Sequence, residues 1–150
     1  MNIRFVNETD IDIWSRFRTE LWPESSDDHA SEIEEYFQGN SIDIDIVFVA
    51  ETESGDIVGF LELNLRDYAE GSRCSPIPYI EAWFVSNAHR GKGIGKLLIQ
   101  AAEHWSLENG YSEIASDTTP NNLASINAHK KLGYKEVARV VCFLKPLKNV

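Results

Sequence analysis

The hydrophobic pattern changes period several times along the chain, and each change predicts an element. Ile3-Arg-Phe-Val6 reads as a short first strand. Thr9-Asp-Ile-Asp reads as a helix cap, and Ile13, Trp14, Phe17 and Leu21 fall on one helical face, with Pro23 as the stop. A second helix is expected over 27–38, with Ala30, Ile33, Tyr36 and Phe37 on one side and Gly39 closing it. The runs 45–52 and 57–66 flank Glu53-Ser-Gly-Asp56 and predict a hairpin. In the second run Phe60, Glu62, Asn64 and Arg66 alternate with Leu61, Leu63 and Leu65, as expected if one face is more polar. A polar, proline-closed loop, 67–78, then leads to an apolar strand from Tyr79 to Val85.

From Ile94 onward the apolar positions 94, 97, 98, 101, 102 and 105 share a helical face that runs to about Glu108. Glu113–Asp117 predicts a short strand, Asn122 to Gly133 a helix with its stop, and Tyr134–Leu147 a final strand with Pro146 near its end. The element order is β-α-α-β-β-β-α-β-α-β. It predicts an α+β fold: one domain over 1–150 with a mixed, mostly antiparallel sheet and helices on both faces.

Composition narrows the function classes. The 150 residues carry a net charge of −10, which disfavours nucleic acid and suits a cationic ligand. No apolar run approaches a membrane span, and Met1-Asn-Ile-Arg-Phe-Val-Asn-Glu lacks a signal-peptide core. Two cysteines, Cys74 and Cys142, make neither a disulfide framework nor a zinc site. A reduced, cytoplasmic protein without metal is the expectation.

The chemistry concentrates between Tyr79 and Ile99. Between the strand and the helix lies Arg90-Gly-Lys-Gly-Ile-Gly95, whose glycines let backbone approach a ligand ahead of a helix N-terminus. Such a loop suits a phosphate or pyrophosphate. It is neither a Walker loop nor a dinucleotide fingerprint, whose spacings differ. The spacing Arg-x-x-Gly-x-Gly resembles the coenzyme A loop of the GNAT acyltransferases. Asn122-Leu-Ala-Ser-Ile-Asn-Ala-His-Lys-Lys-Leu-Gly-Tyr134 resembles the second GNAT signature at Asn122, Ser125, Gly133 and Tyr134, with His129 where the family usually has tyrosine. Within that superfamily, Leu21-Trp-Pro, Asp28-His29, Arg66-Asp-Tyr68, Ser75-Pro76, Glu81, Glu113–Asp117 and Val140–Lys145 are similar to the small aminoglycoside 6′-N-acetyltransferases.

That resemblance implies acetyl transfer from acetyl-CoA to the 6′-amine of an aminoglycoside, antibiotic resistance and a homodimer. It implies Asp117 and Glu81 as the catalytic and substrate-binding carboxylates, with Asp117 at the proposed general-base position, and Trp22 and Tyr68 as aromatic substrate contacts. Some relatives carry a further carboxylate at the position of Ala138, which is absent here. For acetyl-CoA it implies backbone contacts from Trp83, Phe84 and Val85, pyrophosphate contacts from Arg90, Gly91, Lys92, Gly93, Ile94, Gly95 and Lys96, and further contacts from Asn122 and His129. A histidine at 129 could protonate the leaving thiolate or serve the helix structurally. The residues leave open another amine substrate (a polyamine, an amino acid or a protein N-terminus) or a non-catalytic module that binds acetyl-CoA or sequesters the drug.

Overall fold

The computed structural model describes residues 1–148, with the side chains of Ser26 and Asp27 outside the description. The elements are β1 (Asn2–Phe5), α1 (Ile11–Leu21), α2 (His29–Phe37), β2 (Ile46–Glu51), β3 (Ile57–Arg66), β4 (Ile77–Val85), α3 (Ile94–Glu108), β5 (Ala115–Ser116) and α4 (Leu123–Lys131). Two compact units result, Met1–Asp117 with the sheet and Thr118–Val150 with α4.

Each helix of the first unit follows from its apolar face. Trp14 and Phe17 of α1 and Ile33 of α2 are buried, and Tyr36 and Phe37 meet Trp14 edge-on at 5.4 and 6.0 Å. A 3₁₀ turn, Glu8–Asp10, leads into α1, and the cap belongs to this turn, two residues before the expected position. The Asn7 side chain accepts from the Thr9 N–H, and Asp10 takes the Asn7 N–H, so the reciprocal cap is Asn7 with Asp10. Arg4 fixes that turn to the sheet, donating to both Asp10 oxygens and to Glu51. At the far end the Trp22 N–H bonds to the Arg18 carbonyl, and Pro23 opens a 3₁₀ turn that precedes α2.

The five strands lie in sequence order, antiparallel except for the parallel pair β4–β5. Helices cover both faces of this sheet. Neighbouring strand residues point to opposite faces. Phe60 stacks on Phe17 of α1 at 6.4 Å, whereas a Cβ on its neighbour Gly59 would lie 3.3 Å from Leu98 of α3. The same Cβ would lie 2.7 Å from the Phe84 carbonyl oxygen, so the close approach of β3 and β4 requires glycine at 59.

One detail of register sets where Glu81 points. Glu62 pairs with Ala82 and Leu63 with Ile80, so Glu81 is an extra residue opposite no partner on β3. Such a bulge re-aims a side chain. Here it brings Glu81 onto the face of β3 that carries Asn64 and Arg66, both of which bond to it. That face is polar as expected, yet it is buried: Glu62 is 1% exposed and Asn64 9%.

Two expectations need correction. The strand expected over 113–117 is ordered as β only at Ala115–Ser116, pairing with Tyr79 and Ile80. The strand expected over Tyr134–Leu147 is absent: no described residue there is in a strand, and Val137, Val140, Val141, Phe143, Leu144 and Leu147 are exposed. Apolar residues form a strand only by pairing with another edge, and residues 134–147 take part in none of the described strand pairings.

Candidate functional site

The glycine loop lies between a 3₁₀ turn, Asn87–His89, and α3. Gly91 and Gly93 hold φ of 77° and 83°, the left-handed region, and no side chain caps the helix that Gly93 opens. Around both glycines a Cβ would meet nothing within 4 Å, so the backbone here borders open space. A helix start without a side-chain cap presents N–H donors and a partial positive charge. Ile94 is buried, so its contribution to a ligand is restricted to backbone, whereas Lys92 and Lys96 are exposed. Gly95 is held through its carbonyl, which accepts from Trp83 Nε1 at 3.0 Å. Arg90 braces the strand end rather than standing free: its Nε donates to the Val85 carbonyl at 2.8 Å, and its guanidinium lies 5.4 Å from the Phe84 ring centre. Phe84 itself is buried in the core, which leaves only its backbone for a ligand.

A cavity of about 590 Å³ opens beside β3 and is bordered on β4 by Glu81. Five carboxylates line it, from Glu32, Asp43, Glu62, Asp67 and Glu81, against two guanidiniums, Arg18 and Arg66. Trp22 and Tyr68 supply aromatic wall, and Tyr68 is 66% exposed. Trp22 is held by its neighbours, with the Arg18 guanidinium 5.2 Å from its ring centre and the His29 ring at 6.1 Å. The cavity therefore combines negative charge with flat apolar faces, which suits a polycationic ring compound.

From this cavity a connected set of side chains runs along the sheet to Asp117. Arg66 grips Glu81 in a two-pronged pair, Nε to Oε2 at 2.7 Å and Nη2 to Oε1 at 2.6 Å, and Asn64 adds a bond at 3.3 Å. The same guanidinium sits 3.6 Å from the Tyr79 ring centre. The Tyr79 hydroxyl donates to Asp117 Oδ2 at 2.9 Å. Burial, together with that bond to a carboxylate, pushes the Tyr79 hydroxyl pKa well up, so it remains a donor. Arg66 is likewise raised by its bond to Glu81. The two carboxylates thus differ. Both oxygens of Glu81 are engaged by a cation, while exposed Asp117 has one oxygen engaged by a neutral hydroxyl.

In the second unit, Asn122 caps α4, its Oδ1 accepting from the Ser125 N–H at 3.1 Å. His129 Nδ1 donates to the Ser125 carbonyl at 2.7 Å, and Tyr134 meets the ring edge-on at 5.7 Å. Among the described residues, no group of three or more His, Cys, Asp or Glu is placed to hold a metal ion, and no helix is long and apolar enough to cross a membrane.

Sequence reasoning singled out Glu81, Asp117, Trp22 and Tyr68 but missed Arg66 and Tyr79, which connect the two carboxylates, and the buried pair Arg18 and Glu62. A lone glutamate in an apolar strand run was the available signal for Glu62.

Comparison with known proteins places the chain. The family model described as Acetyltransferase (GNAT) family matches residues 11–134. An aminoglycoside N(6′)-acetyltransferase type 1 of Klebsiella aerogenes is 41% identical over 97% of this chain and 96% of its own length. A protein of the same name from Salmonella typhimurium is 37% identical, over 97% and 99%. Among solved structures, AAC(6′)-Iy in complex with the bisubstrate analogue CoA-S-monomethyl-acetylneamine superposes with a TM-score of 0.88 at 34% identity, covering 97% of this chain and 98% of that one. AAC(6′)-Ig from Acinetobacter haemolyticus gives 0.88 at 30% identity, covering 99% and 100%. With a strand, a glycine loop opening a helix, and a family match over most of its length, the chain belongs to the GNAT family of acetyltransferases.

Proposed function

We propose that this protein transfers the acetyl group of acetyl-CoA to the 6′-amine of aminoglycoside antibiotics and so confers resistance to them. The observation that carries this reading is the carboxylate-lined, aromatic-walled cavity bordered by β3 and by Glu81 of β4, the strand that leads into the glycine loop. The relatives' names and the bisubstrate complex of AAC(6′)-Iy support it. The family match spans both compact units, which supports a single acetyltransferase domain.

The chemistry requires a neutral amine at the thioester carbon. Glu81, Trp22 and Tyr68 hold the cationic rings. Asp117 accepts the proton as the amine nitrogen bonds to the acetyl carbon, and the Tyr79 hydroxyl fixes the direction of that carboxylate. Backbone N–H groups at Trp83–Val85 stabilise the oxyanion, the C–S bond then breaks, and the sulfur leaves as thiolate to be protonated. Gly91–Lys96 hold the pyrophosphate. Free Cys74 and Cys142 are consistent with a reducing, cytoplasmic setting. A thiol-release assay with kanamycin, spermidine and a peptide amine tests the reading. Turnover is expected with kanamycin, and a preference for either other amine overturns it.

A homodimer is part of the same proposal. Its support is the exposed apolar side chains of residues 137–147, with Phe143 at 92% and Leu144 at 95% exposure. Unpaired apolar segments are templates for association with a second copy. Sedimentation should give twice the chain mass, and Phe143→Asp with Leu144→Asp should shift it towards monomer. A wild-type monomer at micromolar concentration would rule this out.

A further inference from the structure

The site as described makes no use of Glu62, although that residue lines the same cavity and is fully buried on the central strand. Its surroundings are specific. Trp14 Nε1 donates to Oε2 at 2.9 Å, and Arg18 Nη1 stands 3.5 Å from the same oxygen, beyond hydrogen-bonding geometry. Trp14 and Arg18 are four residues apart on α1 and so share the face turned to β3. Arg18 spends its one good bond elsewhere, on Glu32 of α2. Its side chain is only 6% exposed, and its Nε and Nη1 have no hydrogen-bond acceptor. A buried carboxylate is therefore held by one neutral N–H and a shared cation, beside a cavity with room for a ligand. A buried guanidinium next to it still has donors to place.

We propose that Glu62 is a specificity-determining residue of this cavity, the buried counter-charge for a second ammonium group of an amino-sugar substrate, with Arg18 beside it for an adjacent hydroxyl. The inference rests on the aminoglycoside reading above and deepens it: Glu81 shares its charge with Arg66 at the cavity edge, and a second amine would meet its counter-charge further inside, at Glu62. Glu62 also carries a pH signature. Burial pushes its carboxyl up to about 7, Arg18 and the Trp14 bond oppose the rise, and Glu32 and Glu81 add to it. Tyr36 of α2 faces it as well, as a neutral hydroxyl whose own pKa is raised, chiefly by burial. A cation in the cavity favours the ionised form, so binding releases a proton and affinity improves as pH rises through 7.

The test compares wild type with Glu62→Gln, which keeps an acceptor for Trp14. For a group titrating near 7, the ionised fraction rises about tenfold between pH 6 and 8. The wild-type KM for kanamycin should fall about tenfold more over that range than the KM of Glu62→Gln, with the KM for acetyl-CoA alike in both. Infrared difference spectra of wild type at pH 6.5, with CoA present, provide a measurement that needs no variant. Adding kanamycin should remove a protonated-carboxyl C=O band and add carboxylate absorption. Parallel pH profiles, or an unchanged carboxyl band, overturn this inference and leave the aminoglycoside reading standing. Failure of the wild type to bind or acetylate kanamycin overturns both.

Discussion

Replacing Asp117 by asparagine is expected to lower kcat about 10²–10⁴-fold, the usual span for loss of a general acid or base. The expectation comes from the contrast between the two carboxylates of the site. Asp117 is exposed, follows the last residue of β5, and has Oδ2 fixed by the neutral Tyr79 hydroxyl. A carboxylate so placed is oriented by a neutral donor. Asparagine preserves size and an acceptor oxygen for Tyr79 but cannot take a proton from an ammonium ion. Raising the pH should recover part of the loss, because more of the substrate amine is then already neutral. Wild type and variant should bind acetyl-CoA equally. If instead KM for kanamycin rises while kcat stays near wild type, Asp117 holds the cation and does not move its proton.

The sequence made some of this legible and hid the rest for physical reasons. Local pattern was sufficient where an element is defined by its own residues. The start of α3 at Ile94 and the whole of β3, 57–66, lie where periodicity put them. The glycine loop was equally plain, because positive φ and open space leave a compositional trace at Gly91 and Gly93. Pairing was not legible. Nothing in the run 79–85 announces that Glu81 is a bulge residue, yet that single register shift is what brings it to Arg66 and Asn64. The side-chain series through Arg66 and Tyr79 spans two strands and was invisible for the same reason. The segment 134–147 shows the opposite error. Its valines and Phe143 favour a strand by residue type, but a strand is a relation between two edges, and the sheet ends at β5 among the described residues.

The bulge also yields the second large effect, at Glu81. Glu81→Gln removes the negative end of a two-pronged pair that Arg66 closes at 2.6 and 2.7 Å. The amide oxygen can still accept one bond from Arg66, but its NH₂ faces a second donor, so the guanidinium is left partly unpaired and turns the cavity less negative. Charge-assisted hydrogen bonds are worth about 1.5–3 kcal/mol. The KM for kanamycin is therefore expected to rise on the order of 10–100-fold, with kcat within a few-fold of wild type. Side-chain exposures of 20% for Glu81 and 37% for Arg66 place the pair at the cavity edge, so the variant should remain folded, which a thermal melt checks. Tyr79 supplies an internal control. Its ring lies against the Arg66 guanidinium at 3.6 Å while its hydroxyl holds Asp117, so a disturbed Arg66 could reach the base indirectly. Tyr79→Phe keeps the ring and removes only the bond to Asp117, and it should lower kcat without the KM change of Glu81→Gln. A kcat loss at Glu81→Gln larger than that at Asp117→Asn would reverse the two roles and make Glu81 the base.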